Sequence, residues 1–97
     1  MTLKLLLAED DAELREVLVE ALTLESFKVV AIDNAEDALD IASEQHFDLA
    51  LFDVVMTGMT GIEAISTLRR QHPNIGIIIT TAFATVDVAV DLSLIHI

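Results

Sequence analysis

Leu3-Lys-Leu-Leu-Leu-Ala-Glu-Asp-Asp-Ala-Glu-Leu-Arg-Glu-Val-Leu-Val-Glu-Ala-Leu22 decides the fold. Leu3 to Ala8 is a short apolar run broken only by Lys4, and it stops at Glu9-Asp10-Asp11. A strand this short and this apolar is expected to be buried on both faces, as in a parallel sheet. Leu14, Val17, Leu18, Ala21 and Leu22 then recur at i, i+3, i+4, i+7 and i+8, one face of a helix, while Glu13, Glu16 and Glu20 point away. The stretch is a strand, an acidic turn and an amphipathic helix.

The same unit repeats along the chain. Val29, Val30 and Ile32 predict a second strand. Asn34 follows as an N-cap, with Asp37 three residues on as a weaker version of the capping-box acid. Ala35, Ala38, Leu39 and Ala42 give the second helix its apolar face. Leu49 to Phe52 predicts a third strand ending at Asp53, then a loop containing Thr57, Gly58, Thr60 and Gly61. Ile62, Ile65 and Leu68 mark a third helix closed by Arg69 and Arg70, charges that suit a helix C-terminus. After Pro73-Asn74, Ile75 and Ile77 to Ile79 predict a fourth strand ending at Thr80-Thr81. Thr85 would cap a fourth helix carrying Val86, Ala89 and Val90. Four strand–helix units imply an α/β fold, a doubly wound parallel sheet with right-handed crossovers and helices on both faces.

Composition narrows the function. The 97 residues hold 17 Asp and Glu against 5 Lys and Arg, a net charge of −12. That balance argues against direct nucleic-acid binding, which needs Lys and Arg to replace counterions, and against anionic membrane surfaces. Without cysteine, disulfides, thiolate metal sites and cysteine nucleophiles are excluded. The sequence has no apolar run of the ~18–20 residues that a membrane helix needs and no signal-peptide pattern, so a cytoplasmic location is expected.

The chemistry is expected beyond the carboxyl ends of the strands, where open α/β sheets bind ligands. Strand one ends in Glu9 and Asp10, strand three in Asp53 and strand four in Thr81. Alone, each has an ordinary use: the acids at 9–11 suit a helix N-terminus, Asp53 a loop, and Thr81 a strand. Together, three converging carboxylates repel one another unless a cation lies among them. All-oxygen ligands suit a hard ion such as Mg²⁺, which typically takes one or two carboxylates together with waters and a phosphate, so a metal-assisted phosphoryl site is expected. His46, His72 and His96 have no metal-ligand spacing and read as surface or loop residues. Ser26, Ser43 and Ser66 lack a nucleophile-elbow setting, and no P-loop follows any strand.

Three motifs carry a resemblance. Leu-Leu-Leu-Ala-Glu-Asp-Asp-Ala-Glu-Leu-Arg at 5–15 resembles the first strand, acidic pair and first helix of a response-regulator receiver domain of two-component systems. Asp53-Val-Val-Met-Thr-Gly-Met-Thr-Gly61 resembles its phosphoacceptor loop, and Ile79-Thr-Thr-Ala-Phe83 its switch strand. The resemblance covers residues 3–91 in order. It implies a CheY-like, flavodoxin-like fold with strand order 2-1-3-4, the fifth strand and fifth helix of the family lying outside this sequence. It implies a phosphoacceptor rather than an enzyme, with Asp53 taking a phosphoryl group from a sensor histidine kinase. Mg²⁺ would be held by Glu9, Asp10, Asp53 and the Val55 backbone carbonyl, with Asp11 starting the helix. The Thr81 hydroxyl would bond a phosphoryl oxygen, and the Phe83 ring would change rotamer as Thr81 moves.

The chain departs from the family pattern. Thr57 stands where the family usually has Pro, and Thr60 where it often has Asp. The Lys that follows the family's fifth strand has no counterpart after Lys28. On this reading residues 1–91 are an incomplete receiver, with strand four an open apolar edge and helix one short of a neighbour. Leu92-Ser-Leu-Ile-His-Ile97 breaks the helical spacing. The run reads either as a short strand or, since a DNA sequence resembling a library adapter can encode it, as a non-native tail at 92–97, which is the expectation. Thr81-Ala-Phe-Ala-Thr-Val-Asp-Val-Ala-Val90 resembles receivers of NtrC-like enhancer-binding activators, implying an output portion with ATPase and DNA-binding activity. Three readings compete with a working phosphoacceptor. One is a pseudo-receiver interaction module, one a non-functional truncated fragment, and one a flavodoxin-type flavin carrier, whose cofactor phosphate the acids would repel.

Overall fold

A computed structural model describes residues 2–53 and 61–80. The elements run β1 (Lys4–Ala8), α1 (Ala12–Leu24), β2 (Lys28–Ile32), α2 (Ala35–Glu44), β3 (Leu49–Asp53), α3 (Gly61–Gln71) and β4 (Gly76–Thr80). All strand pairs are parallel and the order is β2-β1-β3-β4, as the resemblance implies. The expectations for Val55, Thr81, Phe83, the Thr57–Gly58–Thr60 turn, a fourth helix from Thr85, His96 and the tail 92–97 lie outside the described residues.

Successive strand residues face opposite sides of a sheet, so β1 and β3 feed two cores. Leu6, Ala8, Ala50, Phe52 and Ile77 face α2 and α3 and pack with Ala38, Leu39, Ala64, Ile65 and Leu68. Leu5, Leu7 and Leu51 face the other way, toward Leu18, Val19 and Leu22 of α1. The continuous apolar runs of the two central strands are explained by this double burial. Small alanines on α2 and α3 let those helices lie close over the larger Leu6, Phe52 and Phe47.

The inner face of α1 differs from the one the sequence predicts. Leu18 and Leu22 lean on the sheet, but with Val19 rather than Leu14, Val17 and Ala21; Leu14 is 41% and Val17 60% exposed. The helix has apolar residues over more than half its circumference, so spacing alone allows two poses. In the observed pose Arg15, Leu18, Val19 and Leu22 share the half-buried stripe.

The helix ends follow the local chemistry. Asp11 is the N-cap of α1 and its side chain accepts from the Leu14 N–H at 3.0 Å. Asn34 caps α2 by accepting from the Asp37 N–H at 2.8 Å. The Asp37 carboxylate returns the contact to the Asn34 side-chain amide at 2.9 Å, not to its backbone as in a full capping box. At the far end of α1, Ser26 adopts a left-handed φ of 72°. The Phe27 and Ser26 N–H groups donate back to Leu22 and Thr23, a Schellman closure with serine where glycine is usual.

Candidate metal and phosphoryl site

β1 and β3 are in register with Ala8 opposite Phe52, so Glu9 and Asp53 emerge side by side at the same edge of the sheet. Asp10 follows in the turn to α1. Each of the three acids offers a carboxylate oxygen, and the three atoms lie within 4.8 Å of one another. Glu9 is 1% exposed, Asp53 is half-buried and Asp10 is exposed, so the cluster is graded from a sunken floor to an open rim. Asp11 plays the other part expected of it, as a cap.

The turn holding these acids is tied from several sides. The Glu9 N–H donates to the Ile32 carbonyl at 3.0 Å, extending the β1–β2 ladder by one rung. The Asp11 N–H donates to Glu9 Oε2 at 3.1 Å. Arg15 Nη1 donates to the Glu9 carbonyl at 2.9 Å. In the sequence Arg15 belongs to no motif of its own beyond the 5–15 stretch. Its signal was an arginine one helical turn into α1, close enough to reach back to the acidic turn.

Electrostatics mark the site. Burial first, then the Asp53 charge and hydrogen bonding to Asp10 and Asp53, together raise the Glu9 carboxyl from 4.5 to about 7. The Asp11 N–H acts in the opposite direction and is outweighed. A buried acid beside two other acids is stable when it keeps a proton or when a cation takes the proton's place. The donor set fits that cation. It is all carboxylate oxygen, the ligand type that octahedral Mg²⁺ takes at about 2.0–2.1 Å. One buried and two more accessible carboxylates leave the rim open to water and a phosphate oxygen. The three groups can therefore hold a hard divalent ion against an acceptor carboxylate.

The histidines sit elsewhere. His46 is exposed, with Nε2 3.3 Å from Asp48 Oδ1. His72 is half-buried rather than a plain surface residue; its Nε2 lies 2.6 Å from the Ala42 carbonyl and joins the end of α3 to α2. Both line a cleft of about 260 Å³ before the amino ends of β3 and β4, at the opposite edge of the sheet from the acids. The Lys4 N–H donates to Asp48 Oδ2 at 2.8 Å, and that bond lowers the Asp48 pKa.

An acidic trio at the carboxyl edge of a sheet ordered 2-1-3-4 is the arrangement that the resemblance to receiver domains implies, and comparison with known proteins shows the family. The family model of the response regulator receiver domain matches residues 5–95, and the chain belongs to that family. Among curated relatives, the response regulator protein FleR of Pseudomonas aeruginosa is 40% identical over 91 residues, covering 94% of this chain and 19% of FleR. The two-component response regulator PhoP of the same species is 42% identical over 80 residues, covering 82% of this chain and 36% of PhoP. The chain thus spans well under half the length of either relative. Among solved structures, the response regulator TrrA of Thermotoga maritima, in complex with Mg(2+)-BeF, superposes with a TM-score of 0.81 at 30% identity, covering 84% of this chain and 70% of that one. Among the described residues, no helix is long and apolar enough to cross a membrane.

Proposed function

We propose that this chain is the phosphoacceptor of a two-component relay and that Asp53 is the residue that takes the phosphoryl group. An oxygen of the Asp53 carboxylate forms the new bond to phosphorus. The bond between phosphorus and an imidazole nitrogen of the kinase's phosphohistidine breaks, and its electron pair stays with that nitrogen. The product is an acyl phosphate, which water hydrolyses to reset the switch. Mg²⁺ at the site offsets the negative charge of carboxylate and phosphoryl oxygens alike. Glu9 and Asp10 hold the ion, with Asp53 and the Val55 carbonyl completing the protein ligands. The Thr81 hydroxyl donates to a phosphoryl oxygen and Phe83 follows it, so the phosphorylated state presents a different surface.

The observation that carries this reading is the meeting of Glu9, Asp10 and Asp53 oxygens within 4.8 Å at the strand ends. The complex of the relative TrrA with Mg(2+)-BeF supports the choice of ion. A cytoplasmic setting, a sensor histidine kinase as donor and an output portion with ATPase and DNA-binding activity go with the same reading. So do a receiver spanning residues 1–91 and a non-native tail at 92–97.

Intact-mass measurement after incubation with acetyl phosphate tests it. One phosphoryl group should be gained with Mg²⁺, and none with EDTA or in Asp53→Asn. Equal labelling in the presence of EDTA, or labelling of Asp53→Asn, would overturn it.

A further inference from the structure

We infer that Arg15 is a positioning residue for the metal site: its guanidinium holds the Glu9–Asp10 peptide and so sets where the Asp10 carboxylate stands. This deepens the proposed function and rests on it. The contact is the 2.9 Å bond from Arg15 Nη1 to the Glu9 carbonyl. The N–H of that residue closes the last rung to Ile32, beyond which β2 gives way to Asp33 and the Asn34 cap of α2. The carbonyl is therefore where the turn leaves the sheet, and a side chain from α1 takes it. The Arg15 N–H donates to the Asp11 carbonyl at 2.8 Å, the first backbone bond of α1, which sets the side chain one turn above the acidic turn.

Placement along the chain singles Arg15 out. Lys4 and Lys28 open β1 and β2, and Arg69 and Arg70 lie in the last turn of α3, all at the amino edge of the sheet. Arg69 is spent there on the Pro73 and Ile75 carbonyls. Among the described residues, Arg15 alone brings a positive charge to the carboxyl edge, where it reaches the Glu9 carbonyl. The pose of α1 agrees: the helix turns Arg15 into its half-buried stripe while Leu14 and Val17 stay exposed.

Two effects oppose each other when Arg15 is removed. Loss of a partner that orients metal ligands weakens binding by about ten- to a hundredfold. Loss of a nearby positive charge strengthens cation binding by about fivefold at most at a solvated site. Positioning wins, and by more at high salt, where the charge effect is screened.

The test is Mg²⁺ affinity by calorimetry at about 0.15 M and about 0.5 M KCl, on the full chain. Arg15→Met keeps the packing of the stem and removes the donor; Arg15→Lys keeps a donor. We expect the Mg²⁺ Kd of Arg15→Met to rise several-fold at low salt and about tenfold or more at high salt, with Arg15→Lys recovering most of the loss. In the metal-free protein, hydrogen exchange at the Asp11 amide should quicken in Arg15→Met while the amide of Leu6 in β1 keeps its protection. An unchanged or tighter Kd in Arg15→Met, with the variant folded by circular dichroism, overturns the inference and leaves the proposed function standing. If Arg15→Met does not fold, Arg15→Lys decides: a Kd near wild type supports the role and a loss of tenfold or more contradicts it. No Mg²⁺ binding by the wild type overturns the proposed function and the inference with it.

Discussion

Replacing Glu9 by glutamine should make the metal-free protein more stable at neutral pH and erase part of its pH dependence. The wild-type carboxyl is raised to about 7 by burial and by Asp53 and Asp10, against 4.5 in the ordinary state. Between those values the folded chain holds a proton that the unfolded chain has released. Stability from Glu9 is therefore fully present below pH 4.5 and is lost as pH rises through about 7. Fully expressed, such a shift corresponds to about 3 kcal/mol. Water at the exposed Asp10 and half-buried Asp53 screens part of it, which leaves on the order of 1–2 kcal/mol. Gln can still accept the Asp11 N–H through its amide oxygen, so the turn keeps that bond. Urea unfolding in EDTA reads the effect. At pH 8 the midpoint of Glu9→Gln should exceed wild type by about 1 M, and at pH 5 the two should nearly coincide. Added Mg²⁺ should raise the wild-type midpoint at pH 8 and move the variant much less. A gap that does not change with pH, or a variant less stable than wild type at pH 8, would refute the reasoning.

Three further outcomes follow from the packing and the caps. Ser26→Gly should raise stability by about 0.5–1 kcal/mol, because the left-handed φ at the end of α1 strains any residue with a Cβ; a lower thermal midpoint would contradict this. Phe52→Ala removes a side chain with no exposed surface from the α2/α3 core and should cost about 3–5 kcal/mol in denaturant unfolding, enough to unfold much of the population. Asn34→Ala deletes the cap of α2 and should cost about 1 kcal/mol, whereas Asn34→Asp should recover only part of it, because its carboxylate keeps the acceptor but meets the Asp33 and Asp37 carboxylates to which the Asn34 amide donates.

Much of the fold was legible because each strand and helix obeys its own period. The runs at 5–8 and 49–52 could belong only to buried parallel strands, and the alanines of α2 fell on one face. The acids were legible as a site because strand order brings Glu9 and Asp53 to one edge. What stayed hidden depends on relations between elements. The apolar arc of α1 is wide enough for two poses, and only docking selects Leu18, Val19 and Leu22 over Leu14 and Val17. Glu9 looks like Asp10 in the sequence, yet it is buried and Asp10 is exposed, because one ends the ladder and the other begins the turn. Arg15 was hidden for the same reason, since its task is a bond to a backbone carbonyl six residues earlier. His72 became a brace only once α3 lay beside α2.

The central claim is that Asp53 itself carries the phosphoryl group. Borohydride reduction of the chain after acetyl phosphate treatment converts an acyl phosphate of aspartate to homoserine, which peptide mass spectrometry can locate. The account predicts homoserine at position 53 and at neither 10 nor 11, dependent on Mg²⁺. Homoserine at another aspartate with position 53 unchanged would contradict it.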